Sequence, residues 1–506
     1  MKPFILLRFQ DYDLKFVMQK ILQNMDFPMF HLDWLNNRML IAAIATLHVI
    51  INHGLAVGFI PFVTWLEQKG VSKSASGDIT DIEWDKMVYK MMKVAFIITT
   101  TIGAMTGVGI WLSASLISPA SIGSLIRVFY WAWFIEWIVF VTEVVLISIY
   151  FLTWKNSNSS LTAKLKHIRF GWILSVASWI TMALIVAILG FMMDPGNWNN
   201  DHTLINGFTN PLYLPQLLFR TPTAMLLGGI FGMMLITLFS KSGSEIRKTA
   251  IKKASKWILF WAPISLIGAI VYYKVIPDAM TANLSTAVGT MDFEKYYNLM
   301  KYFIAGGIGL SVIVAIVGLF RAKLLKPYMV VVPVFTAFAF LGFFERVREF
   351  IRKPYVIGKY MYSNLLLEDD YVAYQQGGIL KNATYTSVTE ITDDNKTEAG
   401  KNIFILACSR CHTAQGVNSV VDVFERMYGK DKTLDINSMA AYIPNMHNGR
   451  TYMPPFPGTP QEAEALAAYI QELQQTGEIL EGAQTDGITI NPEHTAKALL
   501  QQTSKQ

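Results

Sequence analysis

Eight stretches of the chain are long and apolar enough to cross a bilayer, approximately Met39–Trp65, Val94–Leu116, Val128–Trp154, Phe170–Met193, Leu217–Phe239, Trp257–Ile276, Tyr302–Phe320 and Tyr328–Phe344. About 20 residues of helix match the hydrocarbon thickness, so each stretch reads as one span. The last is the shortest and contains Pro333, which leaves its ends open. Eight such runs exclude a soluble globular protein by length alone and predict an all-α, polytopic transmembrane helix bundle.

The polar connections alternate in charge. The one after the third stretch holds Lys155, Lys164, Lys166 and Arg169 without an acid. The one after the fifth holds Lys241, Arg247, Lys248, Lys252, Lys253 and Lys256, and the one after the seventh Arg321, Lys323 and Lys326. By contrast, Asp194 to Tyr213 has no Lys or Arg, and the connection near Asp278 to Glu294 is acidic. Basic connections face the cytoplasm, which places both termini outside. The segment Met1 to Gln23 is too short and too acidic for a secretory signal peptide and has no small-residue cleavage site, so the first span is expected to do the targeting.

Composition agrees with the pattern. The chain of 506 residues is 52% hydrophobic and 16% charged, well below the roughly 25% charge of soluble domains. Its net charge of +6 includes no basic block interleaved with aromatics, so membrane lipid is expected as a partner and nucleic acid is not. The chain divides into an external or interfacial segment 1–38, a bundle 39–354, a polar linker or short extramembrane layer 355–396, a small helical domain 397–476 and a loosely ordered tail 477–506.

The two cysteines of the chain stand together in Cys408-Ser-Arg-Cys411-His412, the CxxCH pattern of covalent haem c attachment. Two thiols three positions apart on a helical turn can add to both vinyl groups of one porphyrin, and the imidazole of His412 can then bind iron. A zinc site would need a second Cys/His pair nearby, which the sequence lacks. The second axial ligand is expected downstream at Met453, in Tyr452-Met-Pro-Pro-Phe-Pro-Gly, with Met446 and His447 as alternatives. A thioether ligand raises the iron potential and suits an electron carrier. The segment resembles a class I cytochrome c, with the Met-Pro loop followed by a last helix from about Gln461 to Gln474. Covalent haem of this kind is attached outside the cytoplasm in bacteria, which agrees with the charge alternation and implies a bacterial inner membrane with the haem domain in the periplasm.

Charged groups inside a bilayer cost about 2.5–3.5 kcal/mol on insertion scales, so each asks for a reason. The first stretch holds His48 and His53, the third Glu136 and Glu143, and the fifth Arg220, while Glu345 and Glu349 follow the eighth. Counted at about 1.5 Å per residue, His48 and Glu136 lie roughly 14 Å below the outer face, and Arg220 lies higher. Glu136 and Glu143, seven apart, share a helix face at a separation of about 10 Å. His48 and His53, five apart, point away from each other. These groups either satisfy one another or form a cofactor site and proton route in the outer half. The inner half offers no charged residue to suggest a water-lined path.

Over roughly residues 35–360 these positions resemble subunit I of the cytochrome bd quinol oxidases. Arg38 with His48 ten residues later resembles the first-helix motif holding a haem histidine. Gly103-Ala-Met-Thr-Gly107 resembles the second-helix glycine motif, and Glu143, eleven residues before Trp154, the third-helix glutamate of the haem and proton region. Arg348-Glu349-Phe-Ile-Arg352-Lys-Pro354-Tyr355 resembles the segment whose glutamate ligates a second haem. The companion third-helix glutamate falls on Ile135, with Glu136 offset by one. The low-spin haem histidine falls on Arg220 and the seventh-helix methionine near Ile304. The quinol loop is shortened to about 20 residues, and the ninth helix gives way to the cytochrome domain.

The resemblance implies an oxidoreductase that takes electrons from a periplasmic donor through one haem c. It implies one or two non-covalent haems of b or d type at His48 and Glu349, and Arg352 at the cofactor. Glu136 and Glu143 would handle protons, Arg220 would pair with a haem carboxylate, and a second membrane subunit resembling bd subunit II would be the partner. Oxygen is the expected acceptor. Nitric oxide reduction at the same site, a non-catalytic membrane-anchored electron carrier of a larger respiratory complex, and a haem-linked transporter or sensor are the alternatives.

Overall fold

The computed structural model describes residues 30–71, 79–289, 297–383, 385–430 and 432–483, with side chains of the helix beginning at Tyr297 described from Ile308 on. The expected segments 1–29 and 484–506 lie outside the described residues, as do residues 290–296 of the shortened loop and the side chain of Ile304.

The described residues are mostly helical. Seven helices among the described residues are long and apolar enough to cross a membrane: α1 (Asn37–Val71), α2 (Ile82–Ile117), α3 (Tyr130–Leu152), α4 (Leu161–Met193), α5 (Tyr213–Phe239), α6 (Glu245–Val275) and α8 (Pro327–Ile351). Helix α7 (Tyr297–Arg321) stands where the remaining apolar stretch predicts one. Helices α1, α2, α4 and α6 begin at polar caps, which satisfy orphan amides of the first turn. Asn36 accepts from the amide of Met39 at 2.9 Å, Asp81 from Trp84 at 3.0 Å, Ser160 from Ala163 at 3.1 Å and Ser244 from Arg247 at 3.2 Å. These caps lie well outside the apolar stretches for α2, α4 and α6, so the helices overrun their expected spans by about two to three turns at the end away from the cytochrome domain.

Helix α5 is the central one, with 72% of its apolar window buried, against 11% for α2 and 17% for α3. Its closest approach is to α1. A Cβ on Gly58 would stand 1.9 Å from the carbonyl oxygen of Ala224, and one on Gly228 would stand 2.2 Å from the carbonyl carbon of Gly58. Small residues let membrane helices touch backbone to backbone, where dispersion replaces a hydrophobic driving force. The outer faces of α2 and α3 expose Met105, Val108, Leu112, Phe134, Trp137 and Val141, as lipid-facing helices should.

Above α8, the stretch expected as a linker or short extramembrane layer folds into a packed layer. Strands β2 (Tyr355–Ile357) and β3 (Met361–Tyr362) pair antiparallel, and Leu366, Tyr371, Tyr374, Ile379 and Leu380 are buried with the helices that follow. Those are α9 (Lys396–Ala407), α10 (Val420–Tyr428), α11 (Ile436–Tyr442) and α12 (Pro460–Thr476). A reciprocal capping box between Thr459 and Glu462 starts α12, and the same carboxylate accepts from the amides of Ile379 at 3.0 Å and Leu380 at 2.9 Å. One buried acid thus ties the layer to the last helix. Strand β1 (Phe30–Leu32) pairs antiparallel with β4 (Glu481–Ala483), so both described ends of the chain meet at the cytochrome end of the bundle.

Candidate haem c site and the polar clusters of the bundle

Helix α9 ends at Cys408, whose amide still bonds Phe404 O at 2.9 Å. The amides of Cys411 and His412 both return to Cys408 O at 3.0 Å, which winds the CxxCH run into one further turn. Both thiols are free. His412 Nδ1 lies 3.1 Å from Asn418 O, so Nδ1–H donates to that carbonyl and Nε2 is left for a metal. Burial pushes the His412 imidazole down to about 4, and the cations Lys353, Arg450 and Arg38 add to the effect. A neutral imidazole with its tautomer fixed is what iron ligation requires.

The Met453 loop is held by its backbone. The Met453 amide bonds Arg450 O at 2.8 Å, its carbonyl accepts from His447 Nδ1, and Phe456 O accepts from Gln375 at 3.0 Å. His447, an alternative ligand by sequence, is here engaged through Nδ1 in fixing the loop that carries Met453. Met446 packs against the core of the domain. Two free thiols, a committed imidazole and a thioether on a fixed loop fit one haem c.

Two residues that the sequence reading missed complete this site from the other end of the chain. His31 Nδ1 lies 3.2 Å from Ser409 O, inside the CxxCH run, and its Nε2 lies 3.2 Å from Asp33 Oδ1. Asp33 accepts from the amides of Ala414 at 2.5 Å and Gln415 at 3.0 Å. A Cβ on Gly416 would stand 1.9 Å from Asp33 O. Burial raises the Asp33 carboxyl, but the His31 ring and the two amides outweigh it and hold the group below its ordinary value. Nothing in the local sequence marks these residues, because their partners lie about 380 positions away.

The strap formed by residues 30–36 runs directly into α1, and α1 brings Arg38 beneath the haem loop. Arg38 bonds Glu349 through Nε at 3.0 Å and also through Nη2, and it reaches the Cys411 thiol. Arg352 Nη2 lies 3.6 Å from Glu349, Lys353 stands 4.4 Å over the ring of Phe350, and that ring lies 5.6 Å from Tyr452, next to Met453. Burial first, then the neighbouring Arg38, pushes the Lys353 amine down to about 8.

One layer deeper, Arg220 is 1% exposed and joins Glu345 at 2.6 Å, His53 Nε2 at 3.1 Å and Gln216 at 3.3 Å. Arg348 holds the other oxygen of Glu345 at 3.0 Å. His48 and His53 face different helices: His48 Nδ1 lies 3.1 Å from Thr106 Oγ1 on α2, while His53 meets α5. A Cβ on Gly107 would stand 3.1 Å from His48 Cε1, so the glycine motif of α2 is the floor under that ring. Both histidine neighbourhoods carry a π-helical turn, Asn52–Val57 in α1 and Thr99–Gly103 in α2, a distortion frequent at functional sites. Glu143 accepts from Ser178 at 2.6 Å and lies 3.5 Å from Thr181 on α4. Glu136 is half-buried and makes no hydrogen bond or ion pair among the described residues.

The expectation of an inner half without charge is overturned. Lys164, fully buried, joins Glu67 at 2.6 Å and Asp85 at 2.8 Å. His167 Nδ1 lies 2.8 Å from Glu67, the Tyr150 hydroxyl donates to Glu67 at 2.6 Å, and Trp154 and Asn158 donate to Asp85 at 3.2 and 2.9 Å. The physical reason is helix overrun. Glu67, Asp85, Lys164 and His167 fall just beyond the apolar stretches, where they read as loop residues. The continued helices turn them inward instead. The i, i+3 spacing of Lys164 and His167 on one helix face is the signal that could have found them.

The cytochrome C oxidase, cbb3-type, subunit III family matches residues 395–470. That range runs from the cap of α9 into α12 and contains Cys408, Cys411, His412 and Met453. No curated protein matches the chain. The chain is thus a multi-pass membrane protein with a C-terminal cytochrome c domain, which implies one covalent haem c and electron transfer through it.

Proposed function

We propose that the protein takes electrons from a periplasmic donor through the haem held by Cys408, Cys411, His412 and Met453 and delivers them to one or two haems in the bundle, where oxygen is reduced. The observation that carries this reading is charge. Beneath Cys411, Arg38, Arg352, Lys353, Arg220 and Arg348 surround two carboxylates, Glu349 and Glu345. Buried positive charge in excess calls for an anion, and haem carboxylates are anions that belong at this depth. His48 and Glu349 are the ligands that the likeness to bd subunit I suggests, with Arg220 and Arg352 toward the carboxylates. Such a haem, when bound, would supply the redox centre. Glu143, hydrogen-bonded to hydroxyls on α4, and the unpartnered Glu136 are the groups fit to hold a proton near it. Coordination by Glu349 requires Arg38 to release one of its oxygens.

A specific observation favours a second reading. Arg220 pairs with both Glu345 and His53, and Arg38 closes on Glu349, contacts that a bundle serving only to anchor an electron carrier would also make. A pyridine haemochrome spectrum of the detergent-solubilised protein, with a carbon monoxide difference spectrum beside it, separates the two. Haem c plus a non-covalent haem that binds carbon monoxide is the expected result. Haem c alone, with no carbon monoxide response, overturns the oxidase reading and leaves the carrier. Nitric oxide reduction is the variant to test by consumption of that gas in place of oxygen. A second membrane subunit and a bacterial inner-membrane setting, with the cytochrome domain in the periplasm, belong to the same proposal.

A further inference from the structure

At the end of the bundle away from the cytochrome domain, α6 and the turn closing α7 form a pocket of about 430 Å³. Lys248 and Lys252, one helical turn apart on α6, line one side, and Arg321 and Lys323 line the other. Phe320, 76% exposed, and Leu324, 52% exposed, stand among these four cations. Glu245, paired with Lys248 and also near Lys323 and Lys252, is the acid beside them and is itself exposed. The pocket is built on fixed backbone, since the buried Arg247 donates to Leu325 O at 2.9 Å and to Thr237 O at 2.9 Å and so locks the turn onto the end of α5.

We propose that this pocket binds the phosphate headgroup of an anionic phospholipid. The lysines and arginines take the phosphate, and Phe320 and Leu324 take the glycerol and the first methylenes. Its place at the membrane boundary favours a lipid over a free anion, because a site for inorganic phosphate has no use for two exposed apolar side chains in its lining.

Native mass spectrometry of the delipidated full chain, titrated with phosphatidylglycerol or with phosphatidylcholine of the same acyl chains, tests it. Phosphatidylglycerol is expected to bind and phosphatidylcholine to bind far more weakly. The double substitution Lys252→Gln/Lys323→Gln, at exposed positions that leave the fold intact, is expected to weaken phosphatidylglycerol binding roughly 30-fold, at about fivefold per interfacial lysine. Equal binding of the two lipids, or an unchanged affinity in the double variant, overturns the proposal. Displacement of phosphatidylglycerol by inorganic phosphate at matched concentration overturns the lipid assignment in favour of a free-anion site.

Discussion

The bundle carries a buried polar cluster at each end, and the two are built on opposite accounting of charge. At the far end, Glu67 and Asp85 are matched by Lys164 and by donors from His167, Tyr150, Trp154 and Asn158. The carboxylates are satisfied within the cluster, and its residues come from four helices, α1 to α4, and from the connection between α3 and α4, all of which it pins together. At the cytochrome end, five cations share two carboxylates directly under the haem-attachment loop. A closed network is a structural joint. A cation-rich one leaves buried donors without partners, as Arg348 Nη1 and Arg352 Nε are among the described residues. Polar residues in a membrane are therefore better judged by whether their charges close than by whether they exist.

The largest expected effect breaks the closed end. Lys164→Met removes the cation between Glu67 and Asp85 and leaves two buried carboxylates facing each other's field. Breaking a buried pair this way costs about 3–5 kcal/mol, read as a large fall in the thermal midpoint of the purified protein. Haem c content per folded chain is expected to stay unchanged. The double variant Glu67→Leu/Lys164→Met is expected to recover part of the loss, because the uncompensated charge goes with it. A single variant as stable as wild type would show that the far cluster joins nothing.

The matching substitution at the open end is milder in stability and different in kind. Arg38→Gln removes two hydrogen bonds to Glu349, a loss of about 2–3 kcal/mol for charge-assisted bonds of this exposure. It also takes a positive charge from beside Cys411. A nearby cation favours the reduced, less positive haem, so a redox titration of the haem c α-band is expected to show a lower midpoint potential. Lys164→Met is expected to leave that potential alone. Equal shifts from both substitutions, or none from Arg38→Gln, would erase the functional contrast between the two ends.

How far the two ends were legible differs for a physical reason. Cys408, Cys411, His412 and Met453 announce themselves, since covalent haem attachment demands fixed local spacing. Arg220, Glu345 and Glu349 were visible because a charge inside or bordering an apolar stretch is an anomaly against a lipid background. Glu67, Asp85, Lys164 and His167 were not, because the anomaly disappears once the same residues sit just outside the stretch. The helix then continues past the hydrophobic signal on the strength of Asp81 and Ser160 as caps, and hydropathy does not report that. His31 and Asp33 were hidden more deeply. Their role is set by contacts to Ser409, Ala414 and Gln415, which depend on the antiparallel pairing of β1 with β4 and on the bond from Asn36 to Val417 O to hold the strap there. The side chain that each group at the cytochrome end chooses was likewise beyond sequence spacing: Arg220 with Glu345, and Arg38 with Glu349, are pairings across helices.

The strap carrying His31 and Asp33 gives the smallest and most specific effect, and it belongs to the open end alone. Asp33 holds the amides of Ala414 and Gln415 with a carboxylate whose folded pKa lies below its ordinary value of 3.8. A depressed carboxylate stabilises the fold fully above the unfolded value, and the contribution is lost as pH falls through the folded one. The strap is therefore expected to hold from neutral pH down to about pH 4 and to loosen below that. Asp33→Asn keeps one acceptor but gives up the charge, a cost of about 1.5 kcal/mol at neutral pH. Hydrogen exchange of the Ala414 and Gln415 amides, followed from pH 7 to pH 3 and corrected for intrinsic rates, reads both effects. Wild type is expected to show strong protection that falls only at the acid end, and the variant weaker protection that is flat across the same window. Parallel profiles in the two proteins would mean that the acid sensitivity lies elsewhere. The head of the bundle would then be tied to the haem loop by Arg38 and the β1–β4 pair without help from Asp33.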